Sequence, residues 1–334
     1  MKALMIGTVA GAAMAVSLAS APAHAKCDPG EITIKFAHVT NTDKHPKGIA
    51  ASLLEKRVNE EMNGKACMEV FPNSSLYDDN KVLEAMLQGD VQMAAPSLSK
   101  FETFTKKFRL FDLPFVFEDI NAVDRYQNSP DGQKLLRSME RKGLLGLAFW
   151  HNGMKQMSAN KPLISPTDAS GLKFRVQPSD VLVAQFEALG ANPQKMAFSE
   201  VYGGLQTKVV DGQENTWSNI YSKKFFEVQD YITESDHGLV DYMVVTSVEF
   251  WQGLPDDVRE ILAQCIDEAS DYANQVALEK AIGDRAKILQ SGRSEIIQLS
   301  PAERRNWIDA MKPVWAAFED EIGADLIAAA QTAN

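Results

Sequence analysis

The sequence is short of the groups that hydrolytic and metal-dependent enzymes use. It has three cysteines and five histidines in 334 residues, and their spacing fits no zinc site. It contains neither a G-x-S-x-G elbow nor a glycine-rich phosphate loop, so no motif supports serine hydrolysis or nucleotide binding. Glycine (20) and proline (14) are too sparse for a fibrous or disordered chain. No apolar run after the first residues is long enough to cross a bilayer. Basic charge is also scarce, with 34 Lys+Arg against 45 Asp+Glu and a formal net charge of −11. Such a surface repels nucleic acid and anionic membrane. An anionic ligand would need a local basic pocket, which makes the few placed basic groups informative.

What is present begins with an export signal. Lys2 precedes an apolar stretch over residues 3–21, and Ala23-His24-Ala25 supplies a small-x-small cleavage pattern. Residues 1–25 are therefore expected to be removed, leaving a mature protein in the periplasm. Lys26 before Cys27 does not fit a lipid-anchoring site. In an oxidising compartment Cys27 and Cys67 are candidates for a disulfide, because each lies beside a predicted strand and neighbouring parallel strands would bring them to one edge. Cys265 then stays single within a helical pattern.

The mature length suits two domains of roughly 150 residues each. Ile32, Ile34 and Phe36 alternate with polar or small residues as a strand does. A helix with Leu54, Val58 and Met62 on one face follows, then strands near 68–71 and 91–95 separated by a helix carrying Val82, Leu83, Met86 and Leu87. Strand, helix, strand, helix, strand predicts a mostly parallel sheet. Residues 144–150 form another predicted strand, and a second α/β unit begins just after it. No strong breaker occurs between Pro255 and Ser291, so one helix of roughly 50 Å is expected there, long enough to brace two lobes. Ser300-Pro301-Ala302-Glu303 has the chemistry of a helix start. The expected fold is α/β, a two-lobed clamshell with a long helix spanning both lobes. The first lobe is placed at 26–152 plus 241–280 and the second at 153–240 plus 281–334, with the cleft between them.

One stretch organises the chemistry. In Gly171-Leu172-Lys173-Phe174-Arg175-Val176, apolar and polar residues alternate, and Pro178 ends the strand. Arg175 thus lies at a strand's C-terminal end, where open α/β sheets bind ligands. Its planar fork of donors matches a carboxylate. Spacing alone leaves open, and even favours, a plain surface arginine paired with a nearby acid such as Glu214.

The residues also carry a family pattern. Tyr77-Asp78-Asp79 with Gly89-Asp90-Val91-Gln92-Met93, the Arg175 strand, and Asp211-Gly212-Gln213-Glu214-Asn215 resemble the solute receptors of TRAP transporters, the DctP-type periplasmic binding proteins. The resemblance spans the mature chain. It implies two lobes closing on one ligand and an arginine that grips a substrate carboxylate, here Arg175. It also implies a second basic group, usually arginine, at Lys155, and an asparagine donor at Asn215. His38, Lys47 in the Pro46-Lys47-Gly48 turn, Ser97 and the stretch from Ser218 to Tyr221 are similar to the C4-dicarboxylate branch, whose ligands are succinate, fumarate and malate. Sugar acids, keto acids and aromatic acids remain alternatives.

Each site residue has a plainer reading beside this one. Lys155 and Lys47 could be solvated surface charges, and Asn215 a turn residue beside Gly212. His38 and His237 could be hydrogen-bonded structural histidines, and Trp217 could be core rather than cleft floor. The implied partners are a small organic acid and the membrane permease subunits of the transporter, with a signalling partner as a further option. No cofactor, metal, nucleic acid or stable membrane insertion is expected. The rival class is a secreted enzyme with His38, His151 or His237 as general base.

Overall fold

The computed structural model describes residues 27–334; the expected signal segment, 1–25, lies outside them. The first lobe opens with β1 (Ile32–Ala37), α1 (Pro46–Glu61), β2 (Ala66–Phe71), α2 (Val82–Leu87) and β3 (Met93–Ala94). Two 3₁₀ segments, Leu98–Thr103 and Lys106–Asp112, lead to α3 (Ile120–Gln127), α4 (Pro130–Leu136) and β4 (Leu144–Met154). The second lobe follows as β5 (Gln156–Ala159), β6 (Lys173–Val176), α5 (Asp180–Ala188), β7 (Asn192–Lys195), α6 (Val201–Gln206), β8 (Gly212–Asn215), α7 (Trp217–Ser222) and β9 (Tyr231–Glu234). The chain returns through β10 (Leu239–Ser247) and α8 (Val248–Gly253), then α9 (Asp256–Ser291), β11 (Glu295–Gln298), α10 (Pro301–Met311), α11 (Val314–Ile322) and α12 (Ala324–Thr332).

Two mixed sheets result, ordered β2-β1-β3-β10-β4 and β11-β9-β5-β8-β6-β7. Parallel pairing sets Thr33 opposite Cys67, which brings the strand starts together, and Cys27 and Cys67 are joined in a disulfide with Cα atoms 5.5 Å apart. The chain crosses between sheets twice by strand. Lys155 alone separates β4 from β5, and residues 235–238 separate β9 from β10. The crossings touch, since the Lys155 amide donates to the Gly238 carbonyl at 2.8 Å.

The third connection is α9. Its 36 residues span about 54 Å at 1.5 Å per residue. Leu262, Cys265, Ile266 and Ala269 pack with Ile34, Phe36 and Leu54 under the first sheet, and Ile288 packs with Trp217 and Phe225 under the second. The two-lobed α/β fold braced by one long helix is therefore present.

Three boundaries differ from expectation. β4 extends to Met154 and the first sheet resumes at Leu239, because β4 and β10 pair along most of their length as a two-stranded ribbon. The C-terminal segment divides between the lobes. Trp307 and Met311 of α10 sit in the second-lobe core, whereas Val314, Ile322, Leu326 and Ile327 pack against Phe111, Phe117 and Tyr126 of the first. The Trp315 indole donates to the Pro114 carbonyl and Asn334 to the Val116 carbonyl. Pro313 lacks an amide donor and separates α10 from α11. The proposed Ser300 start does hold. Its hydroxyl accepts from the Glu303 amide, and the Glu303 carboxylate accepts from the Ser300 amide.

Candidate functional site

Between the sheets lies a narrow cavity of about 30 Å³, partly open to solvent. Asp79, Ser97, Lys100, Val240 and Tyr242 line it from the first lobe; Arg175, Gln177, Phe198, Asn215 and Asn219 line it from the second. Arg175 reaches it because β6 buries Phe174 in the lobe core and turns the next side chain to the other face. Ser179 then caps α5, its hydroxyl accepting from the Leu182 amide, which starts the helix directly after the strand.

The Arg175 side chain is 2 % exposed. Nε and Nη2 both donate to the Met196 carbonyl, at 3.1 and 2.9 Å. Among the described residues no carboxylate lies within ion-pair distance of it, so the pairing with an acid that spacing allowed is not made. Burial lowers its pKa to about 10, opposed by the more distant Glu214 and Glu200, and the group stays cationic at neutral pH. Asn215 ends β8. Its amide donates to Gln213 Oε1 at 3.1 Å while its carbonyl oxygen accepts from Asn219 at 2.5 Å. Across the cleft, Ser97 Oγ donates to Gln177 Oε1 at 2.6 Å and so ties the two lobes.

Lys47 and His38 stand one layer back. The Lys47 ammonium donates to the Ala95 carbonyl at 2.9 Å and lies 3.7 Å from the centre of the Tyr242 ring, whose other atoms face the cavity. Burial lowers its pKa to about 8, with Asp79 opposing. His38 is held at about 3 by burial and by Lys47, too low for a general base at neutral pH.

Three of the expected residues lie elsewhere. Lys155 is fully buried with its Nζ 2.7 Å from Glu214 Oε2, and His237 Nε2 lies 2.9 Å from the same oxygen. An added Cβ on Gly238 would come within 2.7 Å of the Lys155 stem, so glycine makes the room. Burial pushes Glu214 up, but Lys155 and His237 outweigh it and hold the carboxyl at about 2. Neither basic group lines the cavity. Trp217 faces away from it, under Arg285 on the opposite side of the crossings.

Spacing missed Lys100 and Tyr242, while Asn219 falls in the stretch from Ser218 to Tyr221 that the family pattern singled out. Lys100 lies on a 3₁₀ turn; burial lowers its pKa to about 8, and Arg175 contributes in the same direction. Asn219 follows Asn215 by four residues, at the start of α7, and lines the same cavity. Tyr242 reads as core until the sheet order puts β10 beside the cleft. In a chain of net negative charge, Arg175, Lys100, Lys47 and Lys223 gather around this one cavity with Asp78 and Asp79 as the facing acids.

Residues 36–321 match the family described as bacterial extracellular solute-binding protein, family 7, DctP. The chain belongs to this family. It is 65 % identical over 323 residues to the C4-dicarboxylate-binding periplasmic protein DctP of Vibrio cholerae, with 97 % of each chain covered. A TRAP periplasmic solute binding protein from Shewanella oneidensis, solved with succinate bound, is 54 % identical and superposes with a TM-score of 0.90, covering 91 % of this chain and 99 % of that one. One from Pseudomonas aeruginosa PAO1 with bound L-malate is 45 % identical with a TM-score of 0.83, covering 86 % and 99 %. The chain is thus a solute-binding protein of the TRAP class and not an enzyme. Membership of this family places it outside the cytoplasm, and no helix among the described residues is long and apolar enough to cross a membrane.

Proposed function

We propose that this protein is the periplasmic receptor that captures a C4-dicarboxylate, such as succinate, fumarate or malate, and hands it to the membrane permease of a TRAP transporter. The observation that carries the reading is the buried, cationic Arg175 without a carboxylate partner, set in a cavity that both lobes line. One carboxylate of the ligand supplies the missing partner. Lys100, beside Asp78 and Asp79 on the first-lobe side, can donate to the second. The bound acids in the two solved relatives support the same chemistry.

Capture works through closure. A dianion that touches both lobes binds the closed form more tightly than the open one and shifts the hinge equilibrium by that difference. Much of the ion-pair energy is offset by desolvation. A net of about −8 kcal/mol corresponds to a micromolar Kd. The connections at Lys155, at residues 235–238, along α9 and between α10 and α11 confine the motion to a hinge. Asn215 orients the ligand by hydrogen bonding, since its amide can donate to a carboxylate.

Calorimetry with succinate, fumarate, L-malate, glucuronate and the neutral diamide of succinate tests this. The three C4 diacids should bind at least tenfold more tightly than glucuronate, and the diamide should not bind. Comparable affinity for the diamide would sink the reading. Tighter binding of glucuronate would replace the ligand class while keeping the receptor.

A further inference from the structure

A second concavity lies at the hinge, where the two strand crossings and α9 come together. Met154 of the first crossing, Asp236 of the second, Trp217 of α7 and Ala277, Ala281 and Ile282 of α9 line it, enclosing about 260 Å³. Its walls are mostly apolar. The small side chains of Ala277 and Ala281 hollow the helix surface, while Ile282 and its neighbour Leu278 are 66 % and 52 % exposed. A long helix leaves apolar side chains in water at little benefit to its own fold, so exposed ones lining a concavity mark a binding surface.

The charge at this concavity is specific. Glu234 is neutralised by Arg285 at 2.6 and 2.8 Å. Asp236 forms no ion pair among the described residues: one carboxylate oxygen accepts from the Gln156 amide at 2.6 Å, and Arg285, Arg304 and His237 act on it only from beyond ion-pair distance. Its backbone has φ +43°, the left-handed region that glycine, asparagine and aspartate occupy most readily. His151, deeper in the wall, is already held between Asp124 and Asp241. An apolar wall with one unpaired acid fits an apolar body carrying one positive charge.

The two cavities share a wall. Asn152 lines the hinge concavity and donates to the Tyr242 hydroxyl at 2.8 Å, and Tyr242 lines the ligand cavity. The Ser218 hydroxyl donates to the same Asn152, and Thr216, also in the hinge wall, directly follows Asn215. Residues that must move when the lobes close therefore form the wall of this concavity.

We propose that the hinge face is a second binding site, for an aryl- or alkylammonium ion seated against α9 and Trp217 with its ammonium on Asp236, and that its occupancy is coupled to acid capture in the cleft. Coupling follows from linkage. A molecule that prefers one hinge angle changes the affinity of the other site, and each ligand must alter the other's affinity by the same factor.

Phenethylamine is the probe, with phenylacetate and 2-phenylethanol as its anionic and neutral counterparts. Titrated into the full mature chain without any acid present, the amine should bind saturably at millimolar or better affinity and change tryptophan fluorescence; the other two should bind at least fivefold more weakly. Asp236→Asn, a residue the left-handed backbone accepts, should remove that preference. Ile282→Lys, at an exposed position, should abolish amine binding with the melting temperature unchanged. Saturating amine should shift the Kd for succinate at least threefold, and succinate should shift the amine's by the same factor. Absence of saturable amine binding, equal binding of phenylacetate, unaltered binding to the Ile282→Lys protein, or a succinate Kd indifferent to the amine would each overturn the proposal. The first arm uses no dicarboxylate, so its failure is distinct from failure of the receptor reading.

Discussion

Arg175 and Lys155 are two buried cations twenty residues apart in the chain, and their surroundings are opposite. Lys155 sits at the first crossing against Glu214, with His237 completing a closed cluster. Arg175 sits at the mouth of β8 and β6 with only the Met196 carbonyl to accept from it. Taking a charge out of water costs several kcal/mol unless a partner compensates. The first cation has its partner built in and serves the hinge. The second lacks one, and under the proposed function that deficit is what the ligand's carboxylate fills. A cation's role in a cleft protein is thus decided by whether the fold has already neutralised it.

The contrast can be broken from either side. The largest effect is expected from Glu214→Gln, which leaves Lys155 buried without its counter-charge. Stability should fall by about 3–5 kcal/mol, read as the urea midpoint, and Lys155→Met in the same chain should restore much of it. If the single substitution is silent, the cluster is not a closed ion pair. Acid should act on the same group. The folded pKa of Glu214, about 2, lies below its ordinary 4.5, so the stability it contributes is present above pH 4.5 and is lost as pH falls toward 2. That amounts to about 3 kcal/mol at 1.36 kcal/mol per unit. An acid-unfolding curve of the Glu214→Gln protein should be flatter than the parent's over this window.

Arg175→Met tests the other cation. The ligand-free protein should melt at the same temperature or higher, since a costly buried charge is gone. Its affinity for succinate should drop on the order of a hundredfold, within the 2–5 kcal/mol that truncating one partner of a buried charge pair costs. A large loss of stability with binding intact would reverse the roles assigned to the two cations. The smallest effect is expected from Arg175→Lys. The charge remains but the planar fork is lost, and calorimetry should show a weakening of about tenfold with the fold unchanged.

Much of the architecture was legible because it rests on local patterns. The 2-residue alternation of Ile32, Ile34 and Phe36 does mark β1, and the breaker-free run after Pro255 does become α9. The capping chemistry of Ser300 and Glu303 also acts within one turn and reads directly. The short strands β5, β7 and β9 escaped, being four residues each; Asn192-Pro193-Gln194-Lys195 carries no apolar period and pairs only along β6. The fate of residues 314–332 was equally hidden, because an amphipathic helix shows which face is buried but not which lobe buries it.

For the site, strand-end position picked out Arg175, and family pattern picked out Asn215 and Ser97, all of which line the cavity. The same pattern placed Lys155 in the cleft, where Glu214 withholds it. By itself, then, the sequence determined the α/β elements, the long helix, the family and the arginine, since each depends on periodicity or on a motif held within a few residues. Only the tertiary structure decided which buried cation is paired, which lobe the last helices join, and that Lys100, Asn219 and Tyr242 line one cavity. Pairing and exposure depend on groups distant in the chain, and no local pattern encodes the distance between them.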